Sequence, residues 1–203
     1  MTLPADAILL FDLGGVVVPW VGFESLAAMT GLDREAIDHG FEAEAAVRDY
    51  ELGHIPDAAF CEALPRVFGL DVAPADVPAL WKSWVRAPFP GVVEAITQLK
   101  ATHRTACLSN TNALHWAHIQ TMFDMDALFD VPLASHLLHA AKPQARIYQL
   151  ALDALGNPDP ARVHFFEDTT RNLEAAEAAG FTVHPVDRSV GVLPVLERLG
   201  LVG

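Results

Sequence analysis

Lysine is scarce in this chain, standing only at positions 82, 100 and 142, and Lys and Arg together number 13 against 26 Asp and Glu. The formal net charge of -13 repels phosphodiester backbones and anionic lipid headgroups alike. Nucleic acid and membrane surfaces are therefore poor partners. Cysteine is scarcer still: Cys61 and Cys107 stand alone, too few and too far apart for a disulfide framework or a CxxC metal site. Both are expected as buried thiols. Nine histidines are present, but without HExxH or Cys/His spacing, so His115 and His118 are read as partly exposed helix residues rather than zinc ligands. The first ten residues lack a basic n-region, and their apolar run is too short for a signal peptide or a membrane span. A cytoplasmic location is expected. Internal repeats and low-complexity tracts are absent as well.

What is present suits a globular α/β chain. With 203 residues, 52% hydrophobic and 19% charged, it can bury a sizeable core in one domain with a modest insertion. Ala7–Phe11 is a continuous apolar run of strand length that ends at Asp12 and the Gly14-Gly15 turn. That pattern fits a fully buried central parallel strand. Thr105–Leu108, ending in Ser109-Asn110, and Val163–Phe166, ending in Glu167-Asp168, repeat it. Val131–Ala134 and Phe181–Val183 are shorter candidates. Helical patterns at Val92–Lys100, Ala113–Met122, Ala145–Leu155 and Arg171–Ala179 alternate with them. The expected fold is a Rossmann-like, doubly wound parallel sheet of about five strands, with polar strand ends converging where such sheets bind ligands.

Residues 19–87 break this rhythm. They carry amphipathic helical patterns (Phe23–Met29, Arg34–Ala46, Asp57–Phe68 and Ala75–Val85) and no strand. Pro19, Pro88 and Pro90-Gly91 punctuate the departure and return. A helical unit over 19–87, inserted in a core made of 1–18 and 88–203, is expected.

Four separated segments carry the chemistry. Phe11-Asp12-Leu13-Gly14-Gly15 sets an acid at a strand end. Leu108-Ser109-Asn110-Thr111-Asn112 sets a hydroxyl and backbone N–H groups at another, a natural anion site. Ala141-Lys142-Pro143 places a rare lysine between core elements. Phe166-Glu167-Asp168 pairs two carboxylates that repel unless a cation separates them, and hard oxygen ligands suit Mg²⁺.

In this order the four segments resemble the haloacid dehalogenase superfamily of hydrolases, and the resemblance covers nearly the whole chain. It implies a magnesium-dependent phosphatase acting on a small phosphorylated metabolite, in which Asp12 attacks phosphorus and carries an aspartyl-phosphate. Ser109, Asn110 and Gly14 would bind the substrate, and Lys142 would neutralise both Asp12 and the phosphate. Asp12, Gly14 (through its carbonyl), Glu167 and Asp168 would hold Mg²⁺. The helical unit would be a cap that closes over the site, with Tyr50–Ile55, including Glu51, as specificity segment and Trp20 and Phe23 as contacts for the substrate. A monomer or homodimer is expected.

One departure stands out: most phosphatases of this superfamily carry a second Asp two residues after the nucleophile, and here that position is Gly14. Three branches are open. A 2-haloacid dehalogenase lacks the second Asp but needs no acidic pair. A phosphonatase needs a cap lysine, for which only Lys82 is available. The third branch resembles the α-D-glucose-1-phosphate phosphatases and the N-terminal domain of soluble epoxide hydrolases, in the Asp-Leu-Gly start, the Leu-Ser-Asn-Thr-Asn run and Tyr50–Ile55. If Gly14 leaves the departing group unaided, aryl and anomeric phosphates are the expected substrates. A weakly catalytic binding domain is the alternative outside enzymology.

Overall fold

The computed structural model describes residues 3, 4 and 6–203, apart from the side chains of Glu42 and Ala43. Met1, Thr2 and Ala5, in the lead-in to the first expected strand, lie outside the described residues. Five parallel strands, β1 (Ile8–Phe11), β2 (Arg104–Ser109), β3 (Val131–Ala134), β4 (Val163–Glu167) and β5 (Thr182–Pro185), form one sheet in the order β3-β2-β1-β4-β5. β1 lies at the centre and reverses the winding direction on its two sides, the point where open parallel sheets bind ligands.

Alternation along the strands sorts the core into two layers. Leu9 and Phe11 of β1, Cys107 of β2 and Phe166 of β4 pack on one face with Val92, Ile96, Trp116, Ile119, Val195 and Leu196. Ile8, Leu10, Ala106, Leu108, Val163 and Phe165 pack on the other with Ile147, Tyr148, Ala151 and Ala176. The sheet is thus covered on both faces, as its near-continuous apolar strands require.

Between β1 and β2 come α1 (Gly22–Thr30), α2 (Arg34–Ala43), α3 (Ala45–Glu51), α4 (Asp57–Phe68) and α5 (Val77–Lys82), then α6 (Val92–Lys100), which belongs to the sheet layers. α1 and α4 end in left-handed glycines, Gly31 and Gly69, where no Cβ opposes positive φ. α2 starts at Asp33, whose side chain accepts from the Ala36 N–H at 2.8 Å. Helices α1–α5 share a core of their own, including Leu26, Ile37, Tyr50, Phe60, Leu64, Trp81 and Trp84. The insertion therefore packs as a helical unit beside the sheet.

The remaining helices are α7 (Ala113–Ile119), α8 (Met125–Leu128), α9 (Ser135–Leu138), α10 (Ala145–Ala154), α11 (Thr170–Ala178) and α12 (Leu193–Arg198). The expected single helix over 34–46 is broken instead: Glu44 is extended (φ -81, ψ 114) and α3 starts anew after it. Phe41 to Ala46, around the break, include no Gly or Pro, so propensity offered no break at Glu44. Among the described residues, no helix is long and apolar enough to cross a membrane.

Candidate active site

Asp12 follows the last residue of β1, and its backbone N–H donates to Phe166 O at 2.9 Å, extending the β1–β4 pairing by one bond. Glu167 ends β4 and Asp168 follows it. Because β1 and β4 are adjacent and in register, these carboxylates emerge together: ligand atoms of Asp12, Glu167 and Asp168 all lie within 4.8 Å of one another.

Lys142, in the loop before α10, enters the same cluster. Its Nζ stands 2.6 Å from Glu167 Oε2 and 3.0 Å from Asp12 Oδ1. Asn110 fixes that loop, donating from Nδ2 to Lys142 O at 2.9 Å and accepting the Lys142 N–H on Oδ1 at 2.8 Å. The amide expected to bind the substrate is thus found holding the Lys142 backbone.

Three carboxylates against the Lys142 ammonium and a partly exposed Arg188 guanidinium leave an excess of negative charge in a buried place. Burial, reinforced by Glu167 and Asp168 and opposed by Lys142, pushes Asp12 up to about 8. Burial and the neighbouring Glu167 raise Asp168 to about 6. The Lys142 ammonium overcomes burial at Glu167 and holds it below the usual range. A divalent cation would remove this imbalance, and a set of hard carboxylate oxygens at this spacing could hold one.

Gly15 makes the approach possible. It has φ +76, and a Cβ on it would sit 2.5 Å from Asp168 Oδ2. Gly14 is different: its nearest neighbour would be Trp20 Cβ at 3.6 Å, ordinary contact.

Glu167 is fully buried, and Asp12, Asp168 and Lys142 of the cluster line a cleft of about 610 Å³. Ser109, Asn110, Thr111 and Gly14 line it beside Asp12 and Lys142, and Trp20, Phe23, Phe41 and Trp81 supply aromatic walls. Trp20 and Phe23 meet edge to face, with centroids 5.0 Å apart. Glu51 lines the cleft too, as do Arg34, Arg171 and Arg188.

Several expectations need correction. Tyr50 is not a cleft residue; it is buried, its hydroxyl donating to Asp57 Oδ1 at 2.8 Å and its ring stacked on Phe60. Of the segment 50–55, Glu51 alone lines the cleft. Lys82 does not line it either. His115 is buried rather than partly exposed: its Nε2 lies 2.8 Å from Trp81 O and its Nδ1 3.3 Å from Asn112 Nδ2. Asn112 Oδ1 also accepts from Trp81 Nε1 at 3.1 Å, so this network ties α5 to α7. Arg34, Arg171 and Arg188 were missed, since single arginines on helices and loops carry no pattern; Arg188 could have been sought as a partner for Asp168, whose Oδ2 it approaches at 3.6 Å.

Comparison with known proteins gives a family match over residues 7–180, to the model described as haloacid dehalogenase-like hydrolase. A mouse protein named acyl-CoA dehydrogenase family member 10 is 30% identical over 204 residues, which is 94% of this chain and 19% of that protein. A phosphorylated carbohydrates phosphatase from Thermotoga maritima is 31% identical over 105 residues, 51% of this chain and 46% of that enzyme. This chain thus spans less than half the length of either relative. The crystal structure of an enzyme from Bacteroides thetaiotaomicron in complex with magnesium and inorganic phosphate superposes with a TM-score of 0.76 at 22% identity, covering 89% of this chain and 93% of that one.

Proposed function

Because this chain belongs to the haloacid dehalogenase-like hydrolase family, we propose that it is a Mg²⁺-dependent phosphatase of a small phosphorylated metabolite. The observation that carries this reading is the meeting of Asp12, Glu167 and Asp168, with Lys142 Nζ on Asp12 and Glu167, beside a cleft that Asp12, Asp168 and Lys142 line. Asp12, Glu167 and Asp168, with the carbonyl of Gly14, would hold Mg²⁺, which when bound offsets the charge of the carboxylates and of the phosphate. Lys142 lets the two anions meet, and Ser109 with the N–H groups after it takes up phosphoryl oxygens.

Asp12 attacks phosphorus, the ester P–O bond breaks, and an aspartyl-phosphate remains. Water then attacks phosphorus, the Asp12–phosphate bond breaks, and inorganic phosphate leaves. Residues 19–87 form the cap over the core of 1–18 and 88–203 in this reading, with Trp20 and Glu51 facing the leaving group. The name of the Thermotoga relative favours a phosphorylated sugar.

Dehalogenase chemistry has no use for three converging carboxylates, and a phosphonatase lysine is missing, since Lys82 stays outside the cleft. The test is a phosphate-release screen with and without Mg²⁺, including Asp12→Asn. Release supported by Mg²⁺ and abolished by Asp12→Asn is expected. Halide release without metal would overturn the reading.

A further inference from the structure

A phosphate ester with a poor leaving group needs a proton delivered to the departing oxygen, and position 14 offers no side chain to deliver it. Other carboxylates line the cleft. Asp12 and Asp168 belong to the acidic cluster, and Asp38 faces Arg34 at 3.6 Å with both side chains about half exposed. Glu51 remains.

Glu51 is the last residue of α3, and the core fixes its backbone from outside the helical unit. Ser135 Oγ lies 2.8 Å from the carbonyl oxygens of both Glu51 and Thr111 and accepts the Thr111 N–H at 2.9 Å. His139 Nδ1 lies 2.7 Å from Leu52 O. Gly53, with φ +67, presses so closely on the His136 carbonyl that a Cβ would collide with it. The Ser109–Thr111 loop and the Glu51 backbone are thereby held by one serine, and Glu51 lines the same cleft as Asp12.

Two cations act on the Glu51 carboxyl group: Arg171 of α11 and Lys142. Lys142 Nζ is the same atom that stands 3.0 Å from Asp12. Burial outweighs both cations and raises Glu51 to about 7, where a group exchanges protons in either direction near neutrality.

We propose that Glu51 is the catalytic acid and base of the hydrolysis, serving from the cap in place of the side chain absent at position 14. This rests on the phosphatase reading. In the first step Asp12 forms its bond to phosphorus, the P–O bond to the leaving group breaks, and the Glu51 proton passes to the departing oxygen to give the alcohol. In the second, the Glu51 carboxylate takes a proton from water as that oxygen attacks phosphorus, and the Asp12–phosphate bond breaks. Glu51 is protonated again and Asp12 is a free carboxylate.

The experiment compares p-nitrophenyl phosphate, whose leaving group needs no proton, with n-butyl phosphate, whose leaving group does. Glu51→Gln is expected to lower kcat on n-butyl phosphate by about 10²–10⁴-fold. On p-nitrophenyl phosphate it should give a burst of one p-nitrophenolate per enzyme and then a slow phase, because water has lost its base. Adding Gly14→Asp to Glu51→Gln should restore much of the lost rate. A Glu51→Gln enzyme that raises KM equally for both esters and keeps its kcat would overturn the assignment. So would a gain of about 10²-fold or more on n-butyl phosphate from Gly14→Asp alone, since an acid already in place leaves less than about tenfold to gain; a Cβ at position 14 meets only Trp20, at ordinary contact distance. Phosphate release abolished by Asp12→Asn but indifferent to Glu51→Gln removes the Glu51 assignment alone. Absence of Mg²⁺-supported release from the unaltered protein removes the phosphatase reading with it.

Discussion

Lys142 meets Glu167 at 2.6 Å with side-chain exposures of 1% and 0%, an ion pair almost wholly withdrawn from solvent. Removing one partner of such a pair leaves a buried charge without compensation, typically a loss of about 3–5 kcal/mol. Lys142→Met should therefore lower the stability measured by urea unfolding by about that much and reduce phosphate release by at least about 10²-fold. A stability change under about 1 kcal/mol would show that solvent reaches the pair.

The two glycines after Leu13 should respond oppositely to a methyl group. Gly15→Ala forces positive φ on a residue with a Cβ and drives that Cβ into Asp168, so a loss of about 1–3 kcal/mol and of most activity is expected. Gly14→Ala finds ordinary contact with Trp20 and should change stability by less than about 1 kcal/mol. Equal melting temperatures for the two variants would contradict this difference.

Magnesium should stabilise the folded chain in the absence of any substrate. Binding only to the native state adds about 2.7 kcal/mol at a concentration 100 times Kd, read as a rise in melting temperature with added MgCl₂. Asp168→Asn should abolish most of that rise. A rise retained in this variant would place the ion elsewhere.

His115 supplies a pH dependence whose sign is fixed by its burial. Desolvation lowers it to about 4 from its ordinary value of 6.5, so the unfolded chain binds the proton more readily than the folded one. The stability from the neutral imidazole is present above pH 6.5 and is lost as pH falls from 6.5 to 4, by up to about 3 kcal/mol. Urea unfolding at pH 7 and pH 5 should show a smaller decrease for His115→Gln than for the unaltered chain. Parallel decreases would mean that the ring is accessible to the proton when folded.

The strands were legible because burial on both faces writes itself as unbroken apolar runs. Each of the five expected segments matches an observed strand to within a few residues, and the polar residues after the β1, β2 and β4 runs mark where the cleft lies. Asp12, Lys142, Glu167 and Asp168 could be picked out because their types are costly or rare at such places. The role of Asn110 was not legible, since nothing in Ser-Asn-Thr-Asn says that the amide grips a backbone 32 residues away. Tyr50 misled for the opposite reason: beside Glu51 it shared the segment, but helix geometry turns adjacent residues about 100° apart, sending one to the core and the other to the cleft. The breaks at Glu44 and the short helices α8, α9 and α12 depend on tertiary contacts that local pattern does not encode.

β1 occupies the middle of the sheet although it is the first strand of the chain, and its partners begin at Arg104 and Val163. During synthesis, one hydrogen-bonding edge of Ile8-Leu-Leu-Phe11 can be covered once β2 has emerged, but the other stays open until β4 follows more than 50 residues later. The strand that ends at Asp12 is thus completed only when β4 arrives, and a nascent chain arrested before β4 would present an adhesive apolar edge to whatever lies nearby.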